Sequence, residues 1–288
     1  MFEEFLKIRS LTSHLAELRK RLIIVVIALL IGMGVTWNLS DRLLTFMEKP
    51  LLGTSYLDTA KQKGFSYLKE HFPAIYSRAK LENELGKPVK DRALNYTAPL
   101  EPFFVQCKIS ILSGFVLVLP VVFYQVWAFI APAIKSRERR YVLPFVAAAT
   151  VAFCVGALFF LTTIWPFIIN FSLSYETAGL QSWLSLSSYV DFCLRLILLF
   201  GLIAELPLVT LLLTRLGLLS YGFLAPKRKY ALLLSSIVAA FHSDLVTMFV
   251  IMIPLYLMYE ISVWVSLLFS REGRDETLSE PEIVPASF

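Results

Sequence analysis

Long apolar blocks alternate with short polar segments along most of this chain. Four of the blocks, with their flanks, approach the roughly 20 helical residues that cross a hydrocarbon core about 30 Å thick. They are Leu22–Trp37, Phe103–Ala128, Tyr141–Trp165 and Tyr189–Leu213. A further apolar run is interrupted by His242, Ser243 and Asp244, so it reads as two helices, Ala231–His242 and Leu245–Phe269, joined by a tight turn. The first of that pair has about twelve residues, or roughly 18 Å, and must thin the bilayer or shelter behind its neighbours. The pattern predicts an all-α polytopic membrane protein with six transmembrane helices. Proline stands in or beside most spans, at Pro120, Pro144, Pro166, Pro207 and Pro254, and Gly-xxx-Gly seams are few. Bent helices without such seams predict a cupped, concave arrangement rather than a tight bundle.

Basic residues orient the spans. Arg19, Lys20 and Arg21 precede the first helix, and Lys135, Arg137, Arg139 and Arg140 follow the second. Lys227, Arg228 and Lys229 precede the fifth, and Arg271 and Arg274 follow the sixth. The connection after the third helix, Pro166–Ser188, carries Glu176 and neither Lys nor Arg. All the basic segments fall on one side of a six-helix count, which predicts both termini in the cytoplasm. The segment Asn38–Leu100 is rich in both signs of charge, but loops of that length translocate largely regardless of charge. It reads as an enlarged first outer loop over residues 38–100, a solvated cap in which Leu81–Leu85 forms a short surface helix. Residues 1–270 then make a single membrane domain, and residues 271–288 a disordered cytoplasmic tail. The first apolar block follows a polar stretch and lacks a small-residue cleavage site, so it reads as a retained helix.

Composition points the same way. Of 288 residues, 57% are hydrophobic and 17% charged, against roughly a quarter charged in soluble domains. The net charge of +5 gains meaning only once the charges are placed against the membrane. Cys107, Cys154 and Cys193 all lie in apolar blocks. Their odd number and spacing fit neither a disulfide framework nor a metal site. The chain carries no GxSxG, HExxH, P-loop or dinucleotide fingerprint. His242, Ser243 and Asp244 are adjacent, so their side chains cannot easily form one hydrogen-bonded line. No enzyme activity, cofactor, metal or nucleic-acid partner is expected.

Ionisable residues within spans are the stronger clue, because hydrocarbon makes them costly unless they serve a site. Glu205 in "FGLIAELP" lies deep in the fourth helix, two residues before Pro207, where a bend is favoured. It could line a polar cavity or carry a proton, so an ion-coupled secondary transporter using Glu205 is the alternative function. Asp191 and Arg195, four apart, are expected to pair near the outer surface. Lys108 is expected to snorkel from its helix end. At the cytoplasmic rim, "SHLAELRKRL" offers Ser13 as a helix N-cap and Glu17 four residues before Arg21. Glu138 stands among Lys135, Arg137, Arg139 and Arg140. Both carboxylates read locally either as ion-pair members or as acceptors for a visiting cation.

These same residues carry a resemblance. The chain resembles the TatC family, receptor and core subunits of the twin-arginine protein translocase. "SHLAELRKRL" looks like the family's N-terminal motif, and "APLEPFF" like the opening of its second helix. "LPVVFYQVWAFIAPAIKSRERR" is similar to its second helix and first cytoplasmic loop, and "FGLIAELP" and "IPLYLMYEISV" to its fourth and sixth helices. The resemblance implies six cupped helices with the last two short, in the bacterial cytoplasmic membrane. It implies partners of the TatA and TatB single-span type, self-association in a multimeric receptor complex, and folded substrates bearing an Arg-Arg signal peptide, exported with the proton-motive force. By motif position, Glu17 and Glu138 form the signal-binding patch, with Phe129, Arg19 and Arg139 beside them. Glu205 is the buried polar residue of the concave face, and Pro50, Glu101, Pro120 and Asp244 are structural or partner-contact positions. The chain departs from the family in its longer first outer loop, and in "AFHSD" where Thr-Pro-Pro-Asp is common.

Overall fold

The computed structural model describes residues 2–52, 63, 66–67, 70–71, 93–130, 142–175, 182–241 and 245–278. Its described residues are helical apart from short connections and one isolated bridge between Asn95 and Ser185. Helix α1 runs Phe2–Thr36, passes through a tight turn at Trp37–Leu39, and continues as α2, Ser40–Glu48. Helix α3 spans Glu101–Ile130, and α4 spans Val142–Phe159. A π-helical turn at Phe160–Ile164 leads into α5, Trp165–Leu173. Then come α6 (Leu186–Ala204), α7 (Leu206–Arg215), α8 (Tyr221–Leu224), α9 (Arg228–Ala240) and α10 (Leu245–Leu278).

Among the described residues, five helical stretches are long and apolar enough to cross a membrane: Leu15–Glu48, Glu101–Phe129, Val142–Leu173, Leu186–Arg215 and Thr247–Phe269. Their outward faces carry exposed Leu30, Ile31, Val35, Val151, Leu202 and Trp264, side chains that suit lipid rather than water. The protein is therefore a multi-pass membrane protein. Helix α9 has 13 residues, about 20 Å at 1.5 Å each, too short to cross a full bilayer alone. The expected short fifth helix is thus present.

Several boundaries differ from expectation, each for a physical reason. The first helix begins well before Leu22, so Ser13 lies inside α1 rather than at its start. It also extends beyond Trp37, because "SDRLLTFME" is amphipathic: Asp41 suits the first turn of α2 and Met47 is buried. The third span does not stop at Trp165. The π turn shifts the hydrogen-bond register just ahead of Pro166, and the proline then occupies the first turn of α5, where a missing N–H matters least. In the fourth span Glu205 sits at a break between α6 and α7, as Pro207 predicts. Gly217 ends α7 with φ +72°, its N–H bonded to the Thr214 carbonyl at 3.0 Å and Leu218 N–H to Leu213 at 2.9 Å. Helix α10 continues past Phe269 to Leu278, into the stretch expected to be tail. The surface helix expected at Leu81–Leu85 and the turn at His242–Asp244 lie outside the described residues.

The chain divides into two compact units. The first comprises Met1–Thr150 and Ala157–Leu199, the second Val151–Gly156 and Phe200–Phe288. In the first unit α1 packs on α3 backbone to backbone. A methyl group added at Gly114 would stand 2.5 Å from the Met33 nitrogen and 2.7 Å from the Gly32 carbonyl carbon. The Thr36 hydroxyl lies 2.9 Å from both the Gly32 and the Ser110 carbonyl oxygens, bridging the two helices. One glycine from each helix makes this seam, so a search for glycines four apart in one helix passes over it.

Pro50 has a structural task in this unit. Without an N–H it cannot continue α2, and Leu51 N–H turns back to the Glu48 carbonyl at 2.8 Å. The Met47 carbonyl instead accepts from Trp165 Nε1 at 3.0 Å and Tyr189 Oη at 2.6 Å. Those two rings meet nearly edge to face, with centroids 4.9 Å apart. Pro120, by contrast, stands exposed inside α3.

Asp191 does not pair with Arg195 as expected. Lys108 reaches across from α3 and donates to both Asp191 carboxylate oxygens, at 2.7 and 2.9 Å. A partner on another helix is within reach because Lys108 lies opposite α6, its side chain 40% exposed. Lys108→Ala is expected to lower the melting temperature in detergent, and Lys108→Asp with Asp191→Lys to recover most of the loss. Both groups are partly accessible, so the pair contributes only about 1 kcal/mol. Equal melting of the single and exchanged variants would contradict the pairing.

In the second unit α10 is the common wall. Helix α7 meets it through Thr214 and Ser266, hydroxyls 3.4 Å apart, and through Arg215 over the Phe269 ring at 4.7 Å. Helix α9 meets it through Arg228 and Glu260 at 3.0 Å, with Tyr256 Oη donating to the same Glu260 oxygen at 2.7 Å.

Candidate functional site

The rim is built where the polar start of the first span meets the end of the second. Glu17 lies on α1 with its side chain 35% exposed, and Arg21 stands one turn later at 20%. Arg21 Nε and Nη2 donate to Glu17 Oε1 at 3.2 and 2.5 Å. Nη2 also donates to the Ala128 carbonyl at 2.9 Å, and Nη1 to Gln125 Oε1 at 3.4 Å. The local ion pair anticipated between Glu17 and Arg21 is therefore present, and it is tied to the last turns of α3.

That tie brings Glu17 to the helix end that carries Phe129, whose ring is 40% exposed. Arg19 is also exposed, but residues two apart on a helix do not share a face, and Arg19 lies apart from the Glu17–Arg21 cluster. Glu138 and Arg139 lie outside the described residues, as does Asp244. Sequence reasoning missed Gln125 and the Ala128 carbonyl. The signal was there: Pro132, four residues after Ala128, has no N–H to give that carbonyl.

Glu101 is a buried structural carboxylate. It stands in the first turn of α3, where a negative charge complements the helix dipole. Its Oε2 accepts from Thr97 N–H at 2.8 Å, Ala98 N–H at 3.3 Å and the Thr97 hydroxyl at 3.2 Å. Its Oε1 accepts from Ser187 N–H at 2.9 Å and the Ser185 hydroxyl at 3.3 Å. Beside it Asn95 exchanges backbone bonds with Leu184 and Leu186, at 2.9 and 2.8 Å. One carboxylate thereby fastens the start of α3 to the start of α6.

Glu205 belongs to the second unit. It is 6% exposed at the α6–α7 break, and its Oε1 has no hydrogen-bond partner among the described residues. Chemically, then, the rim can receive a cation against a carboxylate and an aromatic face. The Glu101 cluster, with all its contacts internal, cannot.

Residues 13–254 match the model of the family described as "Sec-independent protein translocase protein (TatC)". A TatC protein of Desulforapulum autotrophicum is 32% identical over 263 residues, covering 91% of this chain and 85% of that one. One from Aquifex aeolicus is 31% identical, covering 92% of this chain and 98% of the relative. The crystal structure of a twin-arginine translocase receptor, TatC, superposes with a TM-score of 0.69 at 31% identity, over 90% of this chain and 100% of that one. With its apolar helices, its rim motif and this match over most of its length, the chain belongs to the TatC family of Sec-independent protein translocase components.

Proposed function

We propose that this chain is the signal-peptide receptor and core subunit of a twin-arginine translocase, exporting folded proteins with the proton-motive force. The observation that carries the reading is the partly exposed Glu17 carboxylate, tied through Arg21 to the end of α3, the helix end that carries the exposed Phe129. Arginine presents a planar fork of donors that a carboxylate accepts bidentately, and its face stacks on aromatic rings; lysine offers neither. Glu138 is the second acceptor and Arg139 its neighbour, so two tandem arginines find two carboxylates. Arg19 adds positive charge that discourages unspecific cationic peptides.

In this reading the protein has six helices in a cupped arrangement, with α9 as the fifth, and lies in the bacterial cytoplasmic membrane. Both termini face the cytoplasm, supported by the basic residues that flank the first, second, fourth and sixth spans. The enlarged connection between α2 and α3 lies on the periplasmic side. Single-span partners of the TatA and TatB type complete the machine, docking near Asp244, and several copies of the chain assemble as the receptor.

The test is export in cells deprived of their own TatC-type subunit, supplied with this chain and its TatA- and TatB-type partners. A folded fluorescent reporter behind an Arg-Arg signal is expected outside the cytoplasm. Its retention there, with the chain present in the membrane, overturns the proposal.

A further inference from the structure

We infer that Arg21 is a positioning residue that sets the rim's preference for arginine over lysine. The inference rests on the receptor reading above and deepens it at one side chain.

The Ala128 carbonyl has lost its helical donor, because the residue four positions later is Pro132. A backbone carbonyl without a partner is costly at the membrane edge. Arg21 supplies the missing donor from the neighbouring helix, Nη2 to Ala128 O at 2.9 Å, and holds Gln125 with Nη1 at 3.4 Å. The same guanidinium binds Glu17 through Nε and Nη2, and both bonds fall on Oε1. Among the described residues no donor reaches Oε2. The helix end thus fixes Arg21, and Arg21 ties Glu17 to the helix end that carries Phe129, with one carboxylate oxygen open among the described residues.

This arrangement separates charge from geometry. The Glu17 charge is already matched by Arg21, so a visiting cation gains little from attraction alone. A visiting guanidinium can still donate to Oε2 along a fixed direction and lay its face on the Phe129 ring. An ammonium brings mainly charge, which the site no longer lacks. Lysine at position 21 could not replace the arginine either. Its single nitrogen cannot span two Glu17 bonds, Ala128 and Gln125 together.

The experiment measures photolabelling by Arg-Arg and Lys-Lys signal peptides at matched amounts of folded, full-length protein. Wild type is compared with Arg21→Lys, Arg21→Gln and Glu17→Ala. Both Arg21 variants are expected to lower the Arg-Arg to Lys-Lys labelling ratio about three- to tenfold. Damage to the fold alone lowers both signals together and leaves the ratio where it was. An unchanged ratio in both Arg21 variants, with Glu17→Ala lowering it, overturns the inference and leaves the receptor reading intact. An unchanged ratio in Glu17→Ala overturns the receptor reading itself.

Discussion

Gly114→Val is expected to abolish the stable folded protein in detergent, while Gly34→Ala leaves it intact. At Gly114 even a methyl group would meet backbone, 2.5 Å from Met33 N and 2.9 Å from Met33 Cα. Backbone cannot rotate aside as a side chain can, so α1 and α3 must move apart. Their separation also opens the bridge that Thr36 makes to Gly32 and Ser110. Within a membrane, packing of this kind is most of what holds helices together, and overpacking of a rigid contact costs about 3 kcal/mol or more. Gly34 lies two residues from Gly32 on the same helix and has nothing within 4 Å of an added methyl group. It is the control: a glycine of α1 next to the seam, enlarged where an added methyl group meets nothing. Melting curves of purified protein check the pair, and equal stability of the two variants would contradict the seam.

Glu17→Ala is expected to reduce Arg-Arg signal-peptide labelling at least tenfold, a loss of about 1.4 kcal/mol. The substitution removes the acceptor, and it also leaves the Arg21 cation without its carboxylate. The site then changes from neutral to positive and repels the peptide it should bind. Glu17→Gln keeps the shape and tests the charge alone, and it is expected to fall between the two. Phe129→Ala removes the ring but no charge, so its loss is expected to be smaller than that of Glu17→Ala and larger for the arginine than for the lysine peptide. Labelling of the Glu17→Ala protein at wild-type level would contradict the account of the rim.

The spans were legible because twenty apolar residues leave a signal no local detail can hide. What escaped notice was anything that depended on a second helix. Helix α2 carries Asp41, Arg42 and Glu48 around a buried Met47, so average polarity places it in a loop. Helix α5 holds Pro166 in its first turn, and that proline reads as a stop unless a π turn precedes it. The Gly32–Gly114 seam shares its two glycines between helices, and a chain read in order never sets them side by side. Asp191 offered Arg195 at the favourable spacing, yet Lys108 from another helix took the place. At the rim, Glu17 and its ion pair are visible from spacing, and the family motif is what suggests a purpose for them. The link to Ala128 was written in Pro132, but only the packing of α1 on α3 shows which donor answers it.

The most direct measurement places a photoreactive side chain in a signal peptide next to its twin arginines and illuminates it with the full-length protein in membranes. The account predicts crosslinks to the Glu17 region of α1 and the Phe129 end of α3, strong with Arg-Arg and at least tenfold weaker with Lys-Lys. Equal crosslinking by the two peptides, or crosslinks confined to other helices, would contradict it.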